Sequence, residues 1–146
     1  MEESSNDTEG IGAKLARSVR QAPPAGVVSI YLFGSQAEGR AHRESDVDLA
    51  VLLDFDVYPT TRERFEERLR LSSRFAAGLG GLMADVVVLN DCPPGLARRA
   101  VTVGERIYCS DPELDHAFVR DAQLRAADLA PFLERMRRLK LEAISR

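Results

Sequence analysis

The chain has 146 residues and a formal net charge of −3, with 45% of its residues apolar and 29% charged. These values fit one globular domain with its own hydrophobic core. The acidic balance argues against a protein that coats nucleic acid. Since no run of about eighteen apolar residues occurs, a membrane-spanning helix is not expected. The first residues are acidic and polar, unlike a secretory signal, and the two cysteines, at positions 92 and 109, are widely separated. Both features predict a cytoplasmic protein with free thiols.

The first half of the chain alternates helical and strand patterns. Residues 1–10 are acidic and polar and are predicted to be a disordered tail. Apolar residues spaced four apart predict a short amphipathic helix over residues 11–21. Residues 27–33 predict a mostly buried strand, and residues 45–53 predict a second strand in which aspartates first alternate with apolar residues.

The second half begins with a strongly helical segment, for which Thr61 is the expected N-cap and Gly80-Gly81 the expected end. Its buried stripe is predicted to consist of Phe65, Leu69, Phe75 and Leu79. The later elements are predicted to be a strand at residues 84–89, a helix at 96–103, an edge strand at 106–109 and a helix from Asp111-Pro112 onward. Pro131 favours a break in this last helix. This order predicts an α/β (α+β) fold in which a small mixed β-sheet is flanked by helices, with residues 11–146 forming a single domain.

The two residues that follow the first strand have the properties of a phosphate-binding turn. Gly34 lacks a Cβ, which permits a tight turn and a close approach of phosphate to the backbone. Ser35 begins a segment with the pattern of a helical turn, and a helix N-terminus attracts phosphate through its free N–H groups, to which the hydroxyl adds a donor. A Gly-Ser pair alone is weak evidence, because most such pairs are plain turns.

Three aspartates could hold divalent cations. Asp46 and Asp48 are two residues apart, so their side chains point to the same face of a strand, and Asp85 begins the apolar third strand. Carboxylate oxygens are ligands of Mg²⁺, and two ions about 3.5–4 Å apart can clamp an in-line phosphoryl displacement. Asp85 could also accept a proton from the acceptor. The alternative for each is a solvated residue at the start of a strand, and the sequence alone does not prove that the strands are neighbours.

One motif resembles the signature of the DNA polymerase β-like nucleotidyltransferase superfamily. It consists of residues 32–35, ten intervening residues and residues 46–49. From about Ile11 onward the chain is similar to the minimal nucleotidyltransferase (MNT) branch, which includes the antitoxins of HEPN/MNT toxin–antitoxin pairs. The resemblance implies a palm-like sheet.

The same resemblance implies roles for individual residues. Gly34 and Ser35 would bind the phosphates of the nucleotide, and Asp46 and Asp48 would be catalytic metal ligands. Asp85 lies where the family has its third catalytic carboxylate, and this match is looser because a single aspartate on a strand is common.

An active enzyme is implied, a nucleotidyltransferase that uses Mg²⁺, with two ions expected, and ATP as its substrate. By resemblance the AMP acceptor is a tyrosine of a cognate HEPN ribonuclease toxin, so the expected partners are that toxin and ATP, without a membrane or direct nucleic-acid binding. Two alternatives stay open: transfer to a small molecule such as an aminoglycoside, and a non-catalytic module that masks the toxin by contact.

Two basic segments have no assigned role in the chemistry. Arg40 and Arg43 lie between Ser35 and Asp46 and are interpreted as solvated loop residues rather than contacts of the triphosphate. Residues 134–142 combine basic side chains with Leu and Met, a pattern typical either of a solvated helix face or of a docking helix for a protein partner.

Overall fold

The structure, a computed structural model, describes residues 10–34, 46–80 and 82–144. The elements, in chain order, are α1 (Ile11–Gln21), β1 (Val27–Phe33), β2 (Val47–Leu53), α2 (Thr61–Ala77), β3 (Ala84–Val88), a 3₁₀ turn (Leu89–Asp91), α3 (Pro94–Val103), β4 (Glu105–Cys109) and α4 (Pro112–Ile144). The tail predicted to be disordered lies, except for Gly10, outside the described residues. In the ranges that are described, no helix is both long and apolar enough to cross a membrane.

The four strands form one mixed sheet in the order β3-β2-β1-β4. β1 lies antiparallel to both β2 and β4, whereas β2 lies parallel to β3. The two central strands are apolar almost throughout, as is required of strands covered on both faces. The predicted α/β fold with a small mixed sheet and flanking helices is confirmed.

Helices cover the two faces of the sheet. α1 and α2 pack on one face around a large core that includes Leu15, Leu49 and Leu71. α3 and α4 pack on the other face around a smaller core that includes Ala97 and Ala122, whose small side chains let the two helices approach each other. The sheet is therefore held rigidly between two layers, and its ends are the places where polar side chains can gather.

The buried face of α2 differs from the predicted one. Leu71 and Phe75 are buried and Leu79 is partly buried, but Phe65 and Leu69 are 52% and 54% exposed. The prediction was wrong for these two because an apolar stripe was read from residue type alone, while charged residues occupy part of the face that packs on the sheet.

Arg64 and Glu67 are those charged residues, and both are buried. The Arg64 guanidinium donates two hydrogen bonds of 2.9 Å to the Asp91 carboxylate and one of 2.9 Å to the backbone oxygen of Tyr58. Glu67 forms an ion pair of 3.1 Å with Arg70. Pairing and hydrogen bonding stabilise the buried Arg64 charge. The buried Glu67 Oε2 lies within ion-pair distance of Arg70 but has no hydrogen-bond partner among the described residues.

β2, β3, α3 and β4 differ from their predicted bounds by one or two residues, and three further predictions, on α2 and α4, are corrected. Thr60, not Thr61, caps α2, because its hydroxyl accepts from the backbone N–H of Glu63 and the Glu63 carboxylate accepts from the N–H of Thr60 in return. α2 ends at Ala77, before the predicted glycine pair. α4 continues through Pro131 without the expected break.

Candidate active site

Gly34 and Asp48 lie against each other at the end of the sheet where β1 ends and β2 begins. In the β1–β2 ladder Asp48 is opposite Phe33, the residue before Gly34. Gly34 has φ +75°, a left-handed conformation that favours glycine. A Cβ at this position would overlap the Asp48 carboxylate, whose Cγ lies 3.0 Å from where it would stand. Only glycine therefore fits the turn beside this carboxylate.

Asp85 joins the site from the neighbouring strand. β2 and β3 are paired in parallel with Asp48 opposite Asp85, so the two side chains point to the same face of the sheet. Asp46 precedes β2 by one residue and is exposed, as is Asp85, while Asp48 is partly buried. The structure thus makes neighbours of the two strands whose adjacency the sequence left open.

The charges of these aspartates oppose one another. Burial raises the pKa of the Asp48 carboxyl above its usual range, and the charges of Asp85 and Asp46 raise that pKa further. A cation held by these oxygens would relieve the repulsion, and carboxylate oxygen is the ligand type that Mg²⁺ prefers. Over residues 10–34, 46–80 and 82–144, no group of three or more His, Cys, Asp or Glu side chains is arranged to hold a metal ion.

The face of the sheet that carries Asp48 is the one covered by α3 and α4. Along β2, Val47 and Leu49 contribute to the core beneath α1 and α2, while Ala50 and Leu52 contribute to the opposite core. Side chains alternate between the two faces, so Asp48 shares the side of Ala50 and Leu52. The carboxylates therefore lie on the α3–α4 side of the sheet, at its end.

A buried polar network that the sequence analysis did not identify fixes β1 close to the site. Asp115, in the first turn of α4, is 1% exposed. It accepts a hydrogen bond of 2.7 Å from the Tyr31 hydroxyl and one of 2.8 Å from the Arg106 guanidinium. The network joins β1, β4 and α4 three residues before Gly34. The only local signal was an acidic residue in a first helical turn, which is normally explained by the helix dipole.

The other residues singled out from the sequence fall into two groups. Ser35, Arg40 and Arg43 lie outside the described residues, so the roles predicted for them stay predictions. Cys92 and Cys109 are free thiols, as expected.

Comparison with known proteins decides the family. The nucleotidyltransferase family of polymerase β matches residues 15–113, which is more than half of the chain. The chain belongs to this family. The family expected from the sequence motif is thus confirmed, and nucleotidyltransferase is the enzyme class of the chain. No curated protein sequence matches the chain.

Chains from solved toxin–antitoxin structures are similar to this nucleotidyltransferase. A chain in a toxin–antitoxin structure with AMP-PNP has 24% identity and a TM-score of 0.58, over 92% of this chain and 98% of that one. A chain in a mutant of the MntA–HpeT toxin–antitoxin has 25% identity and a TM-score of 0.62, over 91% of this chain and 96% of that one. A chain in the complex of a tri-AMPylated Shewanella oneidensis HEPN toxin with MNT antitoxin has 21% identity and a TM-score of 0.57, over 93% of this chain and 97% of that one.

Proposed function

We propose that this nucleotidyltransferase moves AMP from ATP to a tyrosine hydroxyl of a cognate HEPN-domain toxin, in the cytoplasm, and so acts as the antitoxin of the pair. The pairing of Asp48 with Asp85 beside Gly34, in a chain of this family, is the observation that carries the proposal. Similar chains occur with AMP-PNP in one complex and with a tri-AMPylated HEPN toxin in another, which supports both the nucleotide and the acceptor.

The residues present suit a nucleotide with its metal ions. Gly34 leaves the backbone open beside the carboxylates, and by resemblance Ser35 is the second phosphate-binding residue. Asp46, Asp48 and Asp85 would hold Mg²⁺, with two ions expected, after their side chains turn toward a shared ion, since over the described residues the three carboxylates do not form a metal-binding group. The ions, when bound, supply positive charge that offsets both the triphosphate and the three carboxylates. Burial and, after it, the charges of Asp85 and Asp46 raise the pKa of Asp48, and a cation would balance those charges.

The proposed reaction is a single displacement at phosphorus. The oxygen of the acceptor hydroxyl forms a bond to the α-phosphorus of ATP, the bond between that phosphorus and the bridging oxygen breaks, and pyrophosphate leaves with the bonding electrons. Asp85, exposed at the start of β3, accepts the hydroxyl proton. The acceptor loses a hydroxyl donor and gains a bulky anionic group, and this change is what would silence the toxin.

Transfer of label from nucleotides labelled at the α-phosphate tests the proposal. The purified chain is incubated with Mg²⁺, its HEPN partner and each of the four nucleotides in turn, and labelled peptides are mapped. The proposal predicts label from ATP on a tyrosine, and its loss with Asp46→Asn. A partner that binds tightly but takes no label would favour a masking module, and neither binding nor label would favour small-molecule acceptors.

A further inference from the structure

α4 extends beyond the body of the protein as an exposed helix. Its buried residues are Asp115, Ala122 and Ala126, and every residue over 127–144 is exposed. At 1.5 Å per residue, these last five turns reach about 27 Å from the body. Residues 127–144 are called the arm below.

One side of the arm is apolar. Leu129, Phe132, Leu133, Met136 and Leu139 recur at spacings of three and four residues, and the least exposed of them, Leu129, is still 39% exposed. Helical spacing places these five residues, called the apolar stripe below, in line with the buried alanines at 122 and 126. The face of α4 that forms core in its first half therefore continues, uncovered, along the arm.

No described residue covers the apolar stripe, whose five members are 39–57% exposed. The segments outside the described ranges, which are residues 1–9, 35–45, 81 and 145–146, contain Met1 as their only large apolar residue. Most of the stability of a protein helix comes from packing of its apolar face, which the arm lacks. A contiguous exposed apolar surface of this kind is typical of an interaction site.

We propose that the apolar stripe is the surface on which the HEPN partner docks, through an apolar helical groove with acidic residues beside it. This proposal rests on the proposed function for the identity of the partner. Over residues 134–140 the arm has four cations, Arg135, Arg137, Arg138 and Lys140, and one acid, Glu134. Two copies crossing at Met136 would bring net positive segments together, which disfavours a symmetric pair of arms. An acidic-rimmed groove complements both the charge and the stripe.

The arm is partly shared with chains that occur in structures of toxin–antitoxin pairs. Their similar chains cover 91–93% of this chain. The uncovered 9% of 146 residues is about 13 residues, fewer than the span 127–144. Each of those chains therefore shares part of the arm, and each comes from a structure of a toxin–antitoxin pair.

The arm leaves the body at the end of the sheet opposite the carboxylates. Arg125, just before the arm, lines a small cleft with Asn90 and Pro94, which follow the end of β3. Asp85 lies at the start of the same strand. A strand of five residues spans about 17 Å, a distance that a domain-sized partner can bridge. Docking on the arm thus leaves the candidate active site open, and binding and transfer are separable.

Matched substitutions on the two sides of α4 test the docking surface in the full-length chain. Leu133 and Leu124 are the same residue type and are 57% and 58% exposed, but they lie nine residues apart, on opposite sides of the helix. The double variant Leu133→Glu, Met136→Glu is compared with Leu124→Glu by calorimetric titration with the purified HEPN partner. Circular dichroism and the thermal midpoint check that each variant is folded.

The proposal predicts that the double variant binds the partner at least about 30-fold more weakly, as loss of central apolar contacts does, while Leu124→Glu stays within about threefold. Equal binding by both variants would overturn it. A second result would also overturn it: light scattering finds the wild-type chain dimeric and the double variant monomeric, while both bind the partner with the same affinity. The occupant of the stripe would then be a second copy of the chain.

Asp46→Asn separates this proposal from the proposed function. It is expected to keep full affinity for the HEPN partner while losing transfer. A wild-type chain that binds the partner through the stripe without labelling it would refute transfer and leave the docking surface standing. Label transfer with unchanged binding by the double variant would refute the docking surface alone, and a wild-type chain that neither binds nor labels the partner would refute both.

Discussion

Asp48 and Asp85 are opposite each other on the parallel strands β2 and β3, and Gly34 lies directly against Asp48. This arrangement keeps like charges together at the start of two strands that are otherwise apolar, at a position where burial already disfavours the ionised form of Asp48. A bound cation would offset this repulsion, which fits the proposed use of Mg²⁺.

Removing the charge of Asp48 should stabilise the metal-free fold while abolishing transfer. The folded state raises the pKa of Asp48, so the stability associated with protonating it is fully present below the unfolded-state pKa and is lost as the pH rises through the folded-state pKa. At pH 7 the carboxylate therefore lowers the free energy of unfolding. We expect Asp48→Asn to raise the thermal midpoint in EDTA, and Mg²⁺ to raise the midpoint of the wild type more than that of the variant. A lower midpoint for the variant in EDTA would refute the repulsion.

Gly34→Ala should abolish transfer through the clash of its Cβ with the Asp48 carboxylate. Gly80→Ala is the matched control, because Gly80 also has a positive φ, +61°, but a Cβ there meets nothing within 4 Å. Both variants carry the left-handed backbone cost of about 1–2 kcal/mol, measured by denaturant unfolding. Only Gly34→Ala should lose the activity. Equal activity in the two variants would show that the room beside Asp48 is not needed.

Tyr31→Phe should cost about 1.5–3 kcal/mol of unfolding free energy, because it removes a buried hydrogen bond to the charged Asp115. Tyr108→Phe, at a partly buried tyrosine whose hydroxyl has no hydrogen bond among the described residues, should cost less than about 0.5 kcal/mol. Burial and the bond to Asp115 raise the pKa of Tyr31, so its contribution is present below the ordinary tyrosine pKa of about 10 and is lost as the pH rises further. Equal costs for the two variants at pH 7 would contradict the buried network.

Arg64→Ala should destabilise the fold by about 2–4 kcal/mol. Breaking a buried pair costs about 3–5 kcal/mol, and the figure is lowered here because the Asp91 side chain is 31% exposed and is partly solvated when left alone. Arg62→Ala is the control on the same helix, since the Arg62 side chain is 89% exposed in its ion pair with Glu66, and we expect less than about 0.5 kcal/mol. Denaturant unfolding measures the unfolding free energy of both variants. Similar losses of unfolding free energy would show that the buried Arg64–Asp91 pair stabilises the fold no more than the exposed pair does.

Local pattern was enough to predict the elements that stand around the site. α1 and β1 have the predicted bounds, because apolar runs interrupted by Pro or Gly define both of their ends. The pattern could not reveal the buried face of α2, since the charge of the buried Arg64 is paired with Asp91, a partner 27 residues further along the chain. Long-range pairing of this kind leaves no trace in local periodicity.

The candidate site shows the same division. The motif supplied Gly34, Asp46 and Asp48 from their spacing and family resemblance, and the run of valines after Asp85 supplied the third carboxylate. The contact of Asp48 with Gly34 and its pairing with Asp85 depend on the register of three strands, which only the folded chain defines. The phosphate-binding role of Ser35 stays a prediction.

The mass of the intact HEPN partner, measured after incubation with ATP, Mg²⁺ and this chain, tests the central claim most directly. If the chain transfers AMP, the partner gains the mass of whole adenylyl units with the wild-type chain and none with Asp46→Asn, although both chains bind it. A partner that is bound by the wild-type chain and keeps its original mass would contradict AMP transfer as the function of this site.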